Sequence, residues 1–378
     1  MEYLSLEHKK FLVNHYVFDA WQFIINAAKG VATTRFCCET IIRLIEQSNG
    51  EYLQWQNDIN FKLSEDFKVN GSAHIGINYD DMPKDTVEFL GEEISRPFLV
   101  DIYIKDFFQY ARNIFDSLAQ VTNVALFANQ AKNIEKIDFV KMHKELTKAS
   151  ASGIFPETEG FFKRVITSDE FVYLSEFNNR IKHICDSKVV LSHSLLDINN
   201  ISKINAFYKK GQQFKQQDII NIVKLICDFV ETEFQEFLKA ITNDIKRDKY
   251  IAGRMHSLNF YAQQIKNNPL SSFTVVYTEV VSNIEELPDE ISILLINNND
   301  EDVLVTNCEY ENILVRDADK NYIGKFGIMD IIVDDTLYKY IKYKKVKCDG
   351  MMAFYEEMKK SIKIKPAFMN GTVIQAEV

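Results

Sequence analysis

The chain has 378 residues, 46% hydrophobic and 26% charged, with 28 Phe and 17 Tyr. That is the mix of a globular protein with large rings for its cores, and it excludes disorder as the main state. A net charge of -10, from 44 Lys+Arg against 54 Asp+Glu, disfavours a generic polyanion-coating protein, because the summed field repels phosphate; local basic patches stay compatible with it.

At roughly 100 to 200 residues per domain the length holds two or three cores. Only 13 Gly and 6 Pro leave few obligate turns, which favours long helices. The six cysteines, Cys37, Cys38, Cys185, Cys227, Cys308 and Cys348, form no C-x-x-C pair and read as reduced, mostly buried thiols. The first residues, MEYLSLEHKK, lack a basic segment followed by an apolar run, and no stretch approaches the roughly 18 apolar residues that span a bilayer. A cytoplasmic protein without a membrane partner is the expectation.

Apolar residues recur at helical spacing from Phe11 to Glu46 (Val17, Trp21, Ile24, Ala28, then Ile41, Leu44, Ile45). The spacing predicts two helices, broken near Gly30 and stopped at Ser48-Asn49-Gly50. From Glu51 to Pro97 that period fades and turn residues collect, so this reads as an irregular insert with a short strand near His74 to Tyr79. Residues 1–97 are thus taken as N-terminal helices with an insert.

Phe98 to Asn129 is the strongest periodic segment and has no Gly or Pro. Lys105, Gln109, Arg112, Asp116, Gln120 and Asn123 form one polar stripe on a helix otherwise apolar, as befits the centre of a bundle. The stripe is a solvated edge, favoured about two to one, or a seam facing a partner helix or a site. Lysines from Lys132 to Lys148 sit on a further helix. Thr167-Ser168-Asp169-Glu170 matches a capping box with Thr167 as the cap. It opens a helix whose buried side is Phe171, Leu174, Phe177, Ile181 and Ile184. A polar loop and a long amphipathic helix from Gln217 to Arg247 follow, completing a helical bundle over 98–268.

After Asn267-Asn268-Pro269 short runs rich in Val, Ile and Tyr alternate with Asn, Asp and Gly clusters, which predicts a β-rich domain over 269–348 and a tail over 349–378. The fold class is therefore mainly α, a bundle followed by a smaller β-rich C-terminal domain. Glu279 to Asp335 is acidic, with only Arg316, Lys320 and Lys325 as cations, a face for a cationic protein partner. Tyr338, Lys339, Tyr340, Lys342 and Lys344 then interleave rings and lysines. That pattern suits single-stranded RNA, by stacking and phosphate neutralisation, or an exposed sheet edge blunted by lysine, the slightly favoured reading.

The chain has no P-loop, Rossmann glycine fingerprint, H-E-x-x-H, nucleophile elbow or EF-hand loop, so those chemistries have no residues to use. His74, His143 and His256 have no companions at ligand spacing, and no metal or cofactor is expected. What remains is the helix reading EFVYLSEFNNRIKHICD. Glu176, Asn179, Arg180 and His183 fall on one of its faces. The plain reading is an exposed face with a Glu176–Arg180 pair, worth about 0.2–0.5 kcal/mol. The sharper reading is phosphodiester cleavage: His183 as acid/base, Arg180 bracing the charge that develops on phosphorus, Asn179 orienting the phosphate, and Lys182 adding positive potential. Arg112 and Asp116 would hold the Arg180 and His183 rotamers, or simply pair with each other. His193 is a further loop candidate, and Cys185 reads as a small core residue.

The central helix DFFQYARNIFDSLAQVTNVAL together with FNNRIKHICD resembles bacterial HEPN-superfamily proteins, especially the abortive-infection and toxin branches. The resemblance covers roughly Arg96 to Arg247. It implies a small dimeric bundle and a metal-independent endoribonuclease whose composite site takes an Arg and a His from a late helix of each protomer. The family's pattern puts four to six residues between Arg and His; here only Ile181 and Lys182 intervene. Expected partners are RNA, a second copy of the chain and a protein bound by the acidic β-rich region. The alternative is a non-catalytic sensor or scaffold that binds RNA or a protein.

Overall fold

The computed structural model describes residues 3–14, 20–72, 82–127, 132, 136–148, 153–184, 187, 189–193, 201–209, 211–245, 256–264, 276–281, 289–293, 295–298, 303–306, 312–316, 319, 322–328, 341–346 and 369–375. Among them the chain is mostly helical, with small sheets. The helices are α1 (Leu6–Asn14), α2 (Ala20–Asn70), α3 (Arg96–Phe127), α4 (Phe139–Leu146), α5 (Pro156–Ile166), α6 (Asp169–Ile184) and α7 (Ile219–Ile245).

The first correction concerns α2. It runs unbroken for 51 residues, through both Gly30 and Gly50, where two helices and an irregular insert were expected. The two glycines differ physically. A Cβ on Gly30 would lie 2.9 Å from Ile114 Cγ1, so this glycine lets α2 and α3 approach, whereas a Cβ on Gly50 would meet nothing within 4 Å. Among the described residues, the later part of the expected insert holds a hairpin, β1 (Thr86–Phe89) with β2 (Glu92–Ser95). It turns at Leu90 (φ 53) and Gly91 (φ 85). The strand expected near His74 to Tyr79 falls outside the described residues.

The chain divides into two units. One comprises Ile25–Leu118 with Thr158–Ala240, the other Met1–Ile24, Ala119–Glu157 and Ile241–Val378. The expected boundary at 97/98 therefore cuts through the first unit, next to the start of α3. In that unit α3 and α6 run antiparallel: Phe115 meets Phe171 (5.1 Å between ring centroids), Phe108 meets Phe177 (4.5 Å), and Ser187 bonds to Asp101. Helix α7 lies antiparallel to α2, through Arg35–Glu231, and to α5, through Arg164–Glu233 and Phe161–Phe237. Phe107, Phe108, Phe115, Phe162, Phe177 and Phe237 are fully buried. Burying such rings stabilises by about 1.5–3 kcal/mol each.

Between α6 and α7 the described residues form strands: β3 (Val189–Ser192), β4 (Ile201–Ile204) and β7 (Gln217–Asp218) form one sheet, and β5 (Phe207–Lys209) pairs with β6 (Gln212–Phe214); most of the polar loop expected at 197–202 falls outside the described residues. In the other unit the polar stripe of α3 ends in backbone contacts. Asn123 is 1% exposed and brackets the Lys132 peptide, donating to its carbonyl (2.7 Å) and accepting from its amide (2.9 Å), while Gln120 donates to the Ile137 carbonyl. At this end the stripe is neither a solvated edge nor a seam for a helix; it holds a connecting segment.

The remaining strands are β8 (His256–Gln264), β9 (Val276–Val281), β10 (Glu290–Ile293), β11 (Leu295–Asn298), β12 (Val303–Thr306), β13 (Asn312–Arg316), β14 (Tyr322–Ile328), β15 (Ile341–Val346) and β16 (Met369–Gln375). Seven of them close into a barrel in the order β10-β15-β14-β13-β9-β8-β16, and β16 also pairs with β10. Strands thus begin at 256, ahead of the expected boundary at 269, and include part of the segment read as a tail.

The glycine contrast yields a test. Gly50→Ala should raise stability by about 0.5–1 kcal/mol through helix propensity. Gly30→Val should lower it by about 1–3 kcal/mol, because the added atoms collide with Ile114. Urea-denaturation midpoints of the two variants against the parent should move in opposite directions.

Candidate functional site

Helix α6 is set in place by its cap and its aromatic face. Ser168, rather than Thr167, is the cap: its hydroxyl accepts from the Phe171 amide at 3.3 Å, and the Thr167 hydroxyl instead bonds back to the Lys163 and Arg164 carbonyls. Phe171, Tyr173, Leu174, Phe177 and Ile181 are buried. Phe207 and Phe214, stacked 4.7 Å apart across the β5–β6 hairpin, pack against Tyr173 and Phe177. Burial pushes the Tyr173 phenol above its usual range, so it stays neutral.

This packing fixes the surroundings of the predicted site. The Arg180 guanidinium carbon stands 6.0 Å from the Phe207 ring centroid, a cation–π distance. Arg180, Asn179 and Glu176 are half-buried, while Lys182 and His183 are exposed. His183 follows Arg180 by one turn. The helix therefore offers a ring-backed guanidinium with an open imidazole beside it, able to hold an anion and exchange a proton.

The supporting residues lie elsewhere. Arg112 pairs with Asp116 at 2.7 Å and sits 5.2 Å from the Phe171 centroid, nine residues before Arg180, or about 13 Å along the helix. They pair with each other and brace the opening turn of α6, not the turn that bears His183. The antiparallel register instead places Asp101 and Lys105 beside the later turns of α6. Lys105 donates to Asp101 at 2.5 Å, and Asp101 also accepts from Ser187, just past the helix. The i,i+4 spacing of Asp101 and Lys105 was the available sequence signal; their position opposite α6 was not.

His193 joins a different cluster. Its ring stacks on Tyr52 (3.7 Å, 9° between planes), and its Nε2 lies 2.9 Å from Ser48 Oγ. Ser48 donates to Asp85 at 2.8 Å. A carboxylate only accepts, so the one hydroxyl proton is committed to Asp85, and His193 Nε2 must carry the proton it donates to Ser48. This order differs from a nucleophilic triad, in which the imidazole takes the serine proton. Arg96 completes the cluster with a two-pronged bond to Glu51 (2.6 and 2.7 Å) and a 3.6 Å approach to Asp85. Hydrogen bonding to Glu51 raises the Arg96 pKa, so its charge is fixed. The cluster ties α2, the entry to β1, the start of α3 and the residue after β3 together.

Of the RNA-binding candidates, Tyr338, Lys339 and Tyr340 fall outside the described residues. Lys342 and Lys344 lie on β15, and Lys344 is exposed. β15 pairs with β10 on one side and β14 on the other. The sheet-edge reading of its lysines is therefore overturned, since a strand with neighbours on both sides has no open edge. Cys185 is not described, and among the described residues no three His, Cys, Asp or Glu side chains group to hold a metal ion.

A family model described as a domain of unknown function, DUF8310, matches residues 256–374. Its limits fall within one residue of the span from β8 to β16. No curated protein matches the chain, and no solved structure matches it. No helix among the described residues is long and apolar enough to cross a membrane.

Removing the Ser48 hydroxyl takes away the acceptor for half-buried His193 and the donor to Asp85, so Ser48→Ala should cost about 1 kcal/mol. Chemical denaturation read by circular dichroism measures it, and an unchanged midpoint would contradict the network.

Proposed function

We propose that the protein is a metal-independent endoribonuclease of a bacterial defence or toxin system, working in the cytoplasm as a homodimer with a HEPN-like bundle. The observation that carries this reading is the pairing on α6: Arg180 is backed by the Phe207 ring, and His183 is exposed one turn later. His183 takes the proton from a ribose 2′-hydroxyl or delivers one to the leaving oxygen. Arg180 binds the phosphate and stabilises the negative charge that grows in the transition state. Asn179 orients the phosphate, Glu176 restrains Arg180 from the preceding turn, and Lys182 raises the local positive potential. A second copy facing this helix would supply the other half of a composite site and exclude water from it.

A second reading has its own support. The family match is confined to residues 256–374, the span of the barrel strands, which favours a role centred on the barrel. In that reading the chain is a non-catalytic sensor or scaffold, and the barrel meets RNA or a protein, with Lys342 and Lys344 as phosphate contacts.

The two readings separate in one experiment. Under the nuclease reading, cleavage of a single-stranded RNA persists in EDTA and falls at least about 100-fold in His183→Ala and in Arg180→Ala, with helical circular dichroism unchanged. If the purified chain binds RNA, His183→Ala does not alter that binding, and no cleavage is seen at any protein concentration, the scaffold reading stands instead.

A further inference from the structure

Charge is unevenly spread along the chain. Residues 180–217 hold seven Lys and Arg against two carboxylates, Asp186 and Asp197, in a chain whose total is -10. An acidic protein repels phosphate overall, so a cationic segment within it focuses polyanions onto one place. The segment runs from the end of α6 to the start of β7.

The fold sets part of this charge beside the α6 face. Phe207 of β5 and Phe214 of β6 pack onto Tyr173 and Phe177, and Phe207 also backs Arg180, so the hairpin is docked on the helix that bears His183. Residues alternate across a strand. With Phe207 and Phe214 turned toward α6, Tyr208 and Gln213, partners in register, take the opposite face; both are exposed, Tyr208 at 67%. Lys209 shares the Phe207 face roughly 7 Å further along the strand and is half-buried, while Lys215, directly after Phe214, and Lys182 on α6 are exposed.

These lysines are available to a ligand. Among the described residues Lys68, Lys105, Lys141, Lys148 and Lys239 are taken up in ion pairs; Lys182, Lys209 and Lys215 are not. Lys203 differs, because it faces Asp218 across β4 and β7, which offsets its charge. A cationic surface alone suits any acidic partner, and the exposed ring decides among them. A tyrosine on the outer face of a basic hairpin, with the exposed amides of Gln212 and Gln213 beside it, serves a strand with unpaired bases, since every base offers a face to stack on. A duplex hides those faces, and an acidic peptide has none.

We propose that the β5–β6 hairpin and the end of α6 form a binding surface for single-stranded RNA, with Lys182, Lys209 and Lys215 on phosphates and Tyr208 stacked on a base. The choice of RNA rests on the reading of α6 given under the proposed function. The strand wraps the hairpin, one base on its outer face and its backbone beside Arg180 and His183.

The test measures binding apart from cutting. Fluorescence anisotropy of a labelled 2′-O-methyl oligouridine, whose blocked 2′-oxygen cannot attack the backbone, gives Kd for the full chain between about 50 and 200 mM KCl. The expected slope of log affinity against log salt is about -2, for three phosphates neutralised. Lys209→Gln combined with Lys215→Gln should make that slope shallower by about 1.4 and weaken binding about tenfold or more. Tyr208→Ala should weaken binding about tenfold at an unchanged slope, and Tyr208→Phe should restore it. Lys342→Gln combined with Lys344→Gln, on β15, should change neither quantity, and circular dichroism should be the same for every variant. The proposal is overturned if the parent does not bind the strand, if the Lys209 and Lys215 changes or Tyr208→Ala leave affinity intact, if a duplex of equal length binds as tightly, or if the loss follows Lys342 and Lys344 instead. A chain that binds the strand here yet cuts no unmodified RNA keeps this surface and loses the nuclease reading; one that cuts RNA but shows no dependence on Lys209, Lys215 or Tyr208 does the reverse.

Discussion

Helix α3 has one long apolar face that must be covered. Ile104, Phe107, Phe108, Ala111, Ile114, Phe115 and Leu118 are all buried, at the spacing that lines them along a single stripe about 120° wide, and more than one element shares the task of covering it. The arrangement of the bundle follows from that requirement. Gly30 lets α2 come close on one side, and α6 presents Phe171 and Phe177 on another. Phe229 of α7 reaches Phe115 as well. Because α6 is held through its rings, Glu176, Asn179 and Arg180 lie half-buried at the margin of that packing and His183 beyond it is exposed. The candidate chemistry of Arg180 and His183 is a by-product of how α3 is packed.

The ion pairs play a different part from the rings. Arg96–Glu51, Arg164–Glu233 and Arg35–Glu231 each join segments distant in sequence, and all use the flat guanidinium fork. Such forks set register more than they add stability, since the exposed member of each pair is screened by water. They fix which turn of one helix meets which turn of the next. In that way Ser48 reaches Asp85.

Much of this was legible in the sequence, and the failures have definite causes. Helices α3, α6 and α7 were placed to within about two residues because each carries an uninterrupted apolar period, the strongest local signal a helix has. The break assigned to Gly30 failed because a glycine inside a helix has two readings, a weak point or a close approach, and only the position of Ile114 separates them. Thr167 and Ser168 both qualify as caps by residue type; the end of α5 decides, by taking up the Thr167 hydroxyl. Grouping Arg180, Asn179, Glu176 and His183 on one face needs only helical geometry, which α6 supplies. Arg112 and Asp116 were left open between holding the Arg180 and His183 rotamers and pairing with each other; they pair, and the stagger that sets Arg112 over Phe171 is written in neither helix. His193 shows the same limit more sharply: its partners Ser48, Tyr52 and Asp85 lie over a hundred residues away, and no local pattern announces them. The β15 lysines resembled edge lysines because pairing on both sides is a property of the barrel.

Closure of the barrel also bears on how the chain is made. β16 supplies the neighbour for both β8 and β10, and it is the last of the seven strands to leave the ribosome. Until residues 369–375 emerge, β8 and β10 each present an unpaired backbone edge, and at roughly 5–20 residues per second the 111 residues from the end of β8 to the end of β16 take many seconds to follow. During that interval the nascent chain carries open strands that can join those of a neighbouring polypeptide. Among the described residues the helices end at 245, so they leave the ribosome ahead of every barrel strand.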